Sequence, residues 1–117
     1  MNTILIVDDE YLIADILGYA LEDEGYQVMK ASNGDKALEM LRVTSVQLVI
    51  TDYMMPALNG EELVRKMREE PTLEKVPVIL MSGAQGSQIC PTLVEAIFDK
   101  PFDMDQMIAK VRELLKT

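Results

Sequence analysis

The stretch that decides the fold is Ile4-Leu5-Ile6-Val7-Asp8-Asp9-Glu10. Its first four residues are apolar and mostly β-branched, which predicts a short strand that is buried on both faces. Runs of the same kind at 48–51 and 78–81 predict two further central strands. The mixed polar and apolar stretch at 26–31 predicts a weaker strand at an edge, and 94–98 predicts a last strand. Strands of this character are typical of a parallel sheet.

Apolar residues at helical spacing lie between these strands and predict helices. The first helix is expected to end at Gly25 and to bury one stripe, made by Leu12, Ile13, Ile16, Leu17, Ala20 and Leu21. Asn33-Gly34 predicts a turn. Asp103, with Gln106 three residues later, predicts the capped start of the last helix. Strict alternation of five strands with four or five helices predicts an open parallel sheet covered on both faces.

Length and composition narrow the possible functions. The 117 residues predict a single domain over 1–117. The formal charge of −9 argues against direct nucleic-acid binding, which needs a basic face. The chain has no histidine and one cysteine, which excludes Ser–His–Asp catalysis and an ordinary zinc site. The chain has no apolar run of about 20 residues, so no membrane association is expected, and the N-terminus and cysteine content favour the cytoplasm.

Polar side chains follow the predicted strands at their carboxyl ends, where open parallel sheets bind ligands. These residues are Asp8, Asp9, Glu10, Asp52, Ser82 and Lys100. Carboxylate ligands without histidine or cysteine select Mg²⁺ or Mn²⁺. A metal, an ammonium group and a hydroxyl together suit a phosphoryl group. The available nucleophile is then a carboxylate, and an aspartyl-phosphate is the resulting hypothesis.

At these positions the sequence resembles the receiver domain of two-component response regulators (CheY-like domains). The matching segments are Val7-Asp8-Asp9-Glu10, Asp52 with Met55-Pro56 and Gly60, Ser82, and Lys100-Pro101-Phe102. The resemblance covers the whole chain. It implies a doubly wound, flavodoxin-like (βα)5 fold with the strand order 2-1-3-4-5.

The resemblance also implies roles for single residues. Asp52 would accept a phosphoryl group from a phosphohistidine on a sensor histidine kinase or phosphotransfer protein. Asp9 would bind Mg²⁺ directly and Asp8 mainly through water, with the backbone carbonyl of Met54 completing the protein ligands. Ser82 and Lys100 would contact the phosphoryl oxygens, and the peptide before Pro101 would be cis. Phosphorylation would change the affinity for a downstream protein; such a domain is no enzyme beyond weak self-phosphatase activity.

Three features depart from the usual receiver pattern. The segment between Ser82 and Lys100 is short and contains two glycines and a proline, which predicts a shortened or irregular fourth helix. Ile97 occupies the place of the usual aromatic residue, and alternation should point Phe98 to the opposite side. Asp99 precedes Lys100, and by the same alternation it is not expected to reach the phosphoryl site.

Other functions remain open from the residues alone. The main alternative is a receiver-like protein interaction module that is not phosphorylated. Asp8 or Asp9 could instead cap the first helix, Ser82 could be a turn residue and Lys100 a surface lysine. An aspartyl-phosphate phosphatase would need a second acid where Met54 stands, and Asp8-Asp9-Glu10 would repel a flavin phosphate.

Overall fold

The computed structural model describes residues 2–55, 58–83 and 92–116. Its elements are β1 (Thr3–Val7), α1 (Tyr11–Asp23), β2 (Gln27–Ala31), α2 (Gly34–Val43), β3 (Leu48–Asp52), α3 (Gly60–Glu69), β4 (Val78–Ser82), β5 (Ala96–Asp99) and α4 (Met104–Leu115). The shortened or irregular fourth helix is predicted between Ser82 and Lys100, and residues 84–91 of that segment lie outside the described residues, as does Pro56. Gly83 and residues 92–95 are described and are not helical.

All five strands are parallel and form one sheet with the order β2-β1-β3-β4-β5. Every residue of the three central strands β1, β3 and β4 is buried, as their apolar runs predict. The last strand begins at Ala96, two residues later than predicted. The Arg68 guanidinium of α3 donates to the carbonyl of Leu93 at 3.0 Å and to the Glu95 carboxylate at 3.3 Å. Glu95 also bonds to the backbone of Val78 in β4, so the segment before β5 contacts both elements.

Strand alternation divides the core into two layers, one on each face of the sheet. In β1, Leu5 and Val7 pack towards α2 and α3, whereas Ile4 and Ile6 pack towards α1 and α4. The buried faces of α2 and α3 agree with the apolar spacing in the sequence. Among the described residues, no helix combines the length and apolarity needed to cross a membrane.

The predicted buried stripe of α1 is partly wrong. Leu17 and Leu21 are buried, but Leu12 and Ile16 are 73% and 52% exposed. The helix approaches the sheet through its small residues Ala14 and Gly18, which are also buried. Because the buried face is centred on these small residues, Leu12 and Ile16 are rotated into solvent and form an apolar surface.

Side-chain caps fix where three helices begin. Asn33 caps α2 through the backbone N–H of Lys36, so Asn33-Gly34 is a helix start and not a free turn. Asn59 caps α3 in a capping box, in which its side chain and that of Glu62 each accept a backbone N–H. Asp103 caps α4 as predicted. Gly25 ends α1 with a positive φ of 97°, a conformation that favours glycine.

Candidate functional site

Two buried carboxylates meet at the carboxyl edge of the sheet. Asp8 follows β1 directly, and Asp52 is the last residue of the neighbouring strand β3. Alternation places both on the face that carries α1 and α4. Both residues are almost fully buried. The sheet thus presents two acidic side chains at one point, as the sequence predicts.

Glu10 completes an acidic cluster with these two residues. Carboxylate oxygens of Asp8, Glu10 and Asp52 all lie within 4.8 Å of one another. Asp8 does not cap α1 but accepts the backbone N–H of Glu10 at 2.9 Å, which fixes its carboxylate. Asp9, the predicted direct metal ligand, is exposed and is not part of the cluster. The structure therefore brings together Asp8 and Asp52, with Glu10 in the place expected for Asp9.

Lys100 supplies positive charge to all three carboxylates. Its Nζ lies 3.2 Å from Asp52 Oδ1, 3.5 Å from Asp8 Oδ2 and 3.6 Å from Glu10 Oε1. Its backbone N–H donates to the carbonyl of Ser82 at 2.7 Å, and the peptide between Lys100 and Pro101 is cis, as expected. Lys100 is therefore not a free surface lysine. Its ammonium group is ion-paired with all three carboxylates of the acidic cluster.

Burial dominates the titration of this cluster. Desolvation raises the pKa of Asp52 above its ordinary value, although the hydrogen bond and charge of Lys100 lower it and the charge of Asp9 raises it further. Desolvation likewise raises the pKa of Asp8, with opposing contributions from the Glu10 N–H and Lys100. Burial alone would lower the pKa of Lys100, but the surrounding carboxylates outweigh it and raise that pKa. The two buried carboxylates thus bind protons more readily than in water.

The hydroxyl of Ser82 faces Asp99. Ser82 is fully buried at the end of β4, and its Oγ lies 3.4 Å from Oδ1 of Asp99. Asp99 was expected to stay clear of the phosphoryl site because it alternates with Lys100. That expectation neglects the register of β4 and β5, which pairs Ser82 with Asp99 and so places both side chains on one face.

Gly60 lets α3 begin directly against the carboxyl end of β3. A Cβ at this position would lie 2.5 Å from the Asp52 carbonyl oxygen and 3.0 Å from Cα of Tyr53. The backbone N–H of Gly60 donates to the Tyr53 carbonyl at 2.8 Å. The added Cβ would also lie 2.9 Å from Leu80 Cδ1. Because the Asp52 oxygen and the Tyr53 Cα belong to the backbone, a side chain here would displace the backbone at Asp52.

The family of the chain follows from these features together with one comparison. A family model described as the response regulator receiver domain matches residues 4–112. The chain belongs to this family. It is accordingly a receiver domain of the two-component type, which is a signalling domain and not a canonical enzyme.

Relatives of this receiver domain include two transcriptional regulators. It is 32% identical to the phosphate regulon regulatory protein PhoB of Rhizobium meliloti, covering 97% of this chain and 52% of the relative. It is 33% identical to the regulatory protein CpxR of Escherichia coli K12, covering 99% and 50% respectively. The chain thus spans about half the length of these curated relatives.

Solved structures agree with this fold. The response regulator TrrA of Thermotoga maritima, in complex with Mg²⁺ and BeF, is 31% identical with a TM-score of 0.88, and the match covers 97% of this chain and 99% of TrrA. The receiver domain of the Francisella response regulator 1452 is 26% identical with a TM-score of 0.90, covering 99% and 98%. The flavodoxin-like fold class predicted from the sequence is confirmed.

The donor set of this receiver domain fits a magnesium ion. Three carboxylates converge within 4.8 Å and offer only oxygen ligands, which Mg²⁺ prefers over nitrogen or sulfur. Such an acidic cluster is typical of the receiver magnesium site. Met54 lies two residues after Asp52, with its side chain 56% exposed. Its carbonyl as a ligand remains a prediction, as does direct binding by Asp9.

The last strand of the receiver domain carries no aromatic ring on the face of Ser82. Ile97 pairs with Leu80 and is partly exposed. Phe98 points to the opposite face, as predicted, where it packs against Phe102 with ring centroids 6.2 Å apart. The sequence places Glu10 at this edge of the sheet but predicts no role for it, and it does not predict the contact of Asp99 with Ser82. Glu10 lies two residues after Asp8, so alternation indicates that their side chains share one face. The contact of Asp99 with Ser82 can be predicted only from the register of β4 and β5.

Proposed function

We propose that this receiver domain accepts a phosphoryl group on Asp52 in a Mg²⁺-dependent reaction and thereby changes its affinity for a partner protein. One observation carries the proposal: the buried carboxylate of Asp52 lies in a three-carboxylate cluster with Lys100 at 3.2 Å. Aspartate carboxylates form covalent phosphoryl intermediates of this kind. Lys100 provides the charge that a phosphoryl group needs at the same point.

The transfer step uses groups of this chain and of the donor. An ionised oxygen of Asp52 forms the new bond to phosphorus, while the bond between phosphorus and the donor imidazole nitrogen breaks. The electron pair of that bond leaves with the imidazole, so no oxidant or further reactant is needed. Lys100 stays ionised because the carboxylates raise its pKa, and it pairs with the transferred phosphoryl oxygens. Ser82 then donates a hydrogen bond from its hydroxyl to one of these oxygens.

Asp8, Asp52 and either Asp9 or Glu10 would hold Mg²⁺, together with the carbonyl of Met54. When bound, the ion neutralises negative charge on the carboxylates and on the phosphoryl oxygens. The chain itself contributes by holding the ligand side chains in place. Asp8 is fixed by the Glu10 N–H, and Asp52 by its strand and by Gly60.

The phosphoryl donor is proposed to be a phosphohistidine on a sensor kinase or phosphotransfer protein. A donor that delivers phosphorus to Asp52 must cover the surface beside Lys100. An apolar groove of about 380 Å³ lies there, lined by Ile13, Ile16, Lys100, Pro101, Phe102 and Met104. The exposed apolar residues of α1 continue this surface. An apolar patch next to a charged site is typical of a protein docking surface.

Intact-mass spectrometry with a small acyl-phosphate donor tests the proposal. The wild type is expected to gain the mass of one phosphoryl group in Mg²⁺ and none in EDTA. Asp52→Asn should gain none, whereas Asp105→Asn, a matched change in the exposed first turn of α4, should behave as the wild type. A folded wild type that gains no phosphoryl group in Mg²⁺ contradicts the proposal and favours the unphosphorylated interaction module.

The docking surface has its own control. Ile16→Glu should slow phosphorylation by a histidine-phosphorylated kinase domain that acts on the wild type, and should leave the acyl-phosphate reaction unchanged. Val43→Glu makes the same change at an exposed residue of α2, on the other face of the sheet. Equal rates for both variants with the protein donor would exclude the groove as its docking site.

A further inference from the structure

Ser82 and Asp99 are paired across the last two strands. Ser82 lies opposite Asp99 in the parallel ladder, and their side chains project to the same face. The Oγ–Oδ1 distance is 3.4 Å. Asp99 belongs neither to the acidic cluster nor to the ion pairs of Lys100. The hydroxyl that is to contact a phosphoryl group therefore already has an anionic acceptor elsewhere.

A serine hydroxyl has one proton to donate. Donation to Asp99 excludes simultaneous donation to a phosphoryl oxygen on Asp52, so the two anions compete for the same proton. The Asp99 bond is long for an O–H···O hydrogen bond, whose usual length is about 2.7 Å. A phosphoryl group that offers a shorter charge-assisted bond can therefore displace it.

We propose that Asp99 is a positioning residue that holds the Ser82 hydroxyl away from Asp52 until a phosphoryl group competes for it. This inference rests on the proposed phosphorylation of Asp52 and adds a restraint to it. Part of the free energy of phosphoryl binding is used to break the Ser82–Asp99 contact. Asp99 lies on the same face of β5 as Ile97, so this face of the strand carries no aromatic ring that could move together with Ser82.

A double-mutant cycle on Mg²⁺-dependent beryllofluoride binding tests this role, since beryllofluoride mimics the phosphoryl group without a covalent bond. Affinities are measured by isothermal titration calorimetry for the wild type, Asp99→Ala, Ser82→Ala and the double variant. Asp99→Ala is expected to tighten binding about three- to ten-fold, the usual value of one hydrogen bond. The same change in the Ser82→Ala background is expected to alter affinity less than about two-fold.

Two controls separate the hydrogen bond from simple charge. Asp99→Asn keeps an acceptor oxygen and loses the charge, so its gain should be smaller than that of Asp99→Ala. Asp105→Ala removes the same charge from the exposed first turn of α4 and should change affinity less than about two-fold. Thermal unfolding of each variant confirms that it is folded. Asp99→Val, which also removes the acceptor, replaces Asp99→Ala should that variant be unstable.

The outcomes are distinct. An equal gain from Asp99→Ala in both backgrounds, or an equal gain from Asp99→Asn, shows charge repulsion and overturns the inference. No gain in a wild type that binds beryllofluoride overturns it as well, while the proposed function stands. A wild type that does not bind beryllofluoride in Mg²⁺ overturns the proposed function itself, and the inference with it.

Discussion

Replacing Asp52 by asparagine should stabilise the metal-free protein, although it removes an ion pair. At an effective dielectric constant of about 20, the attraction between Asp52 and Lys100 at 3.2 Å is about 5 kcal/mol. The repulsion from Asp8 and from Glu10, with oxygens within 4.8 Å, is at least about 3.5 kcal/mol each. Glu10 is 61% exposed, which screens its share. Attraction and repulsion therefore nearly cancel.

What remains is the cost of burying a carboxylate. This penalty is several kcal/mol, against about 1–3 kcal/mol for a buried amide group. Lys100 keeps its pairs with Asp8 and Glu10 in the variant, so no buried cation is left alone. We expect Asp52→Asn to raise the free energy of unfolding by about 1–2 kcal/mol at pH 7. The midpoint of thermal unfolding should rise by about 4 °C for each kcal/mol.

The gain should depend on pH with a defined sign. The raised pKa of Asp52 means that the folded state binds more protons than the unfolded state, so wild-type stability falls as the pH rises above the ordinary value of 3.8. The advantage of asparagine is complete above the raised pKa and shrinks as the pH falls towards 3.8. Thermal and urea unfolding of the wild type and of Asp52→Asn in EDTA, at about four pH values between roughly 4 and 7.5, measure this difference in stability.

The control for net charge is Glu74→Gln, at an exposed residue after α3, which should change stability by less than about 0.5 kcal/mol. A loss of about 3 kcal/mol or more in Asp52→Asn, the usual result of breaking a stabilising buried pair, would refute the reasoning. So would a gain that stays constant across the pH range, because the effect would then not come from the charge.

Three further predictions follow from single contacts. Gly60→Ala should lower the free energy of unfolding, measured in urea, by about 2–4 kcal/mol, because its Cβ meets the backbone of Asp52. The control Gly34→Ala should lose less stability, because the obstacle there is the flexible side chain of Leu58. Lys100→Met should tighten Mg²⁺ binding several-fold in calorimetry, because the ammonium no longer shares the carboxylate oxygens; unchanged or weaker binding contradicts this. Asn59→Ala should cost about 1 kcal/mol in urea unfolding through loss of the capping box, and no loss would show that the cap is redundant.

Fully buried strands could be predicted from the sequence because their environment requires apolar residues at every position. The runs in β1, β3 and β4 have this property. The face of α1 could not be predicted in the same way. Its apolar residues occupy more than one side of the helix, and the choice depends on the close approach of Ala14 and Gly18 to the sheet. That approach is a property of packing and leaves no periodic signal.

The contacts of the site likewise divide into those that the sequence could predict and those that it could not. Asp8, Asp52 and Lys100 lie at or directly after the carboxyl ends of strands, so topology alone brings them together. The contact between Ser82 and Asp99 depends on the register of two strands, which a single strand pattern does not contain. Alternation within β5 predicts that the side chain of Asp99 points away from that of Lys100, and this prediction is correct. It says nothing about the residue opposite Asp99 in β4.

The arrangement of charges also argues that the cluster is kept for function and not for stability. Three carboxylates share one lysine, and the pKa of both buried carboxylates is raised despite that lysine. A core built for stability would contain apolar residues here, because buried charge without full compensation opposes folding. Under the proposed function, a divalent cation and Lys100 would together neutralise this excess of negative charge and that of a phosphoryl group. The two buried carboxylates are therefore costly to ionise, and such a conflict with stability is typical of residues that serve a function.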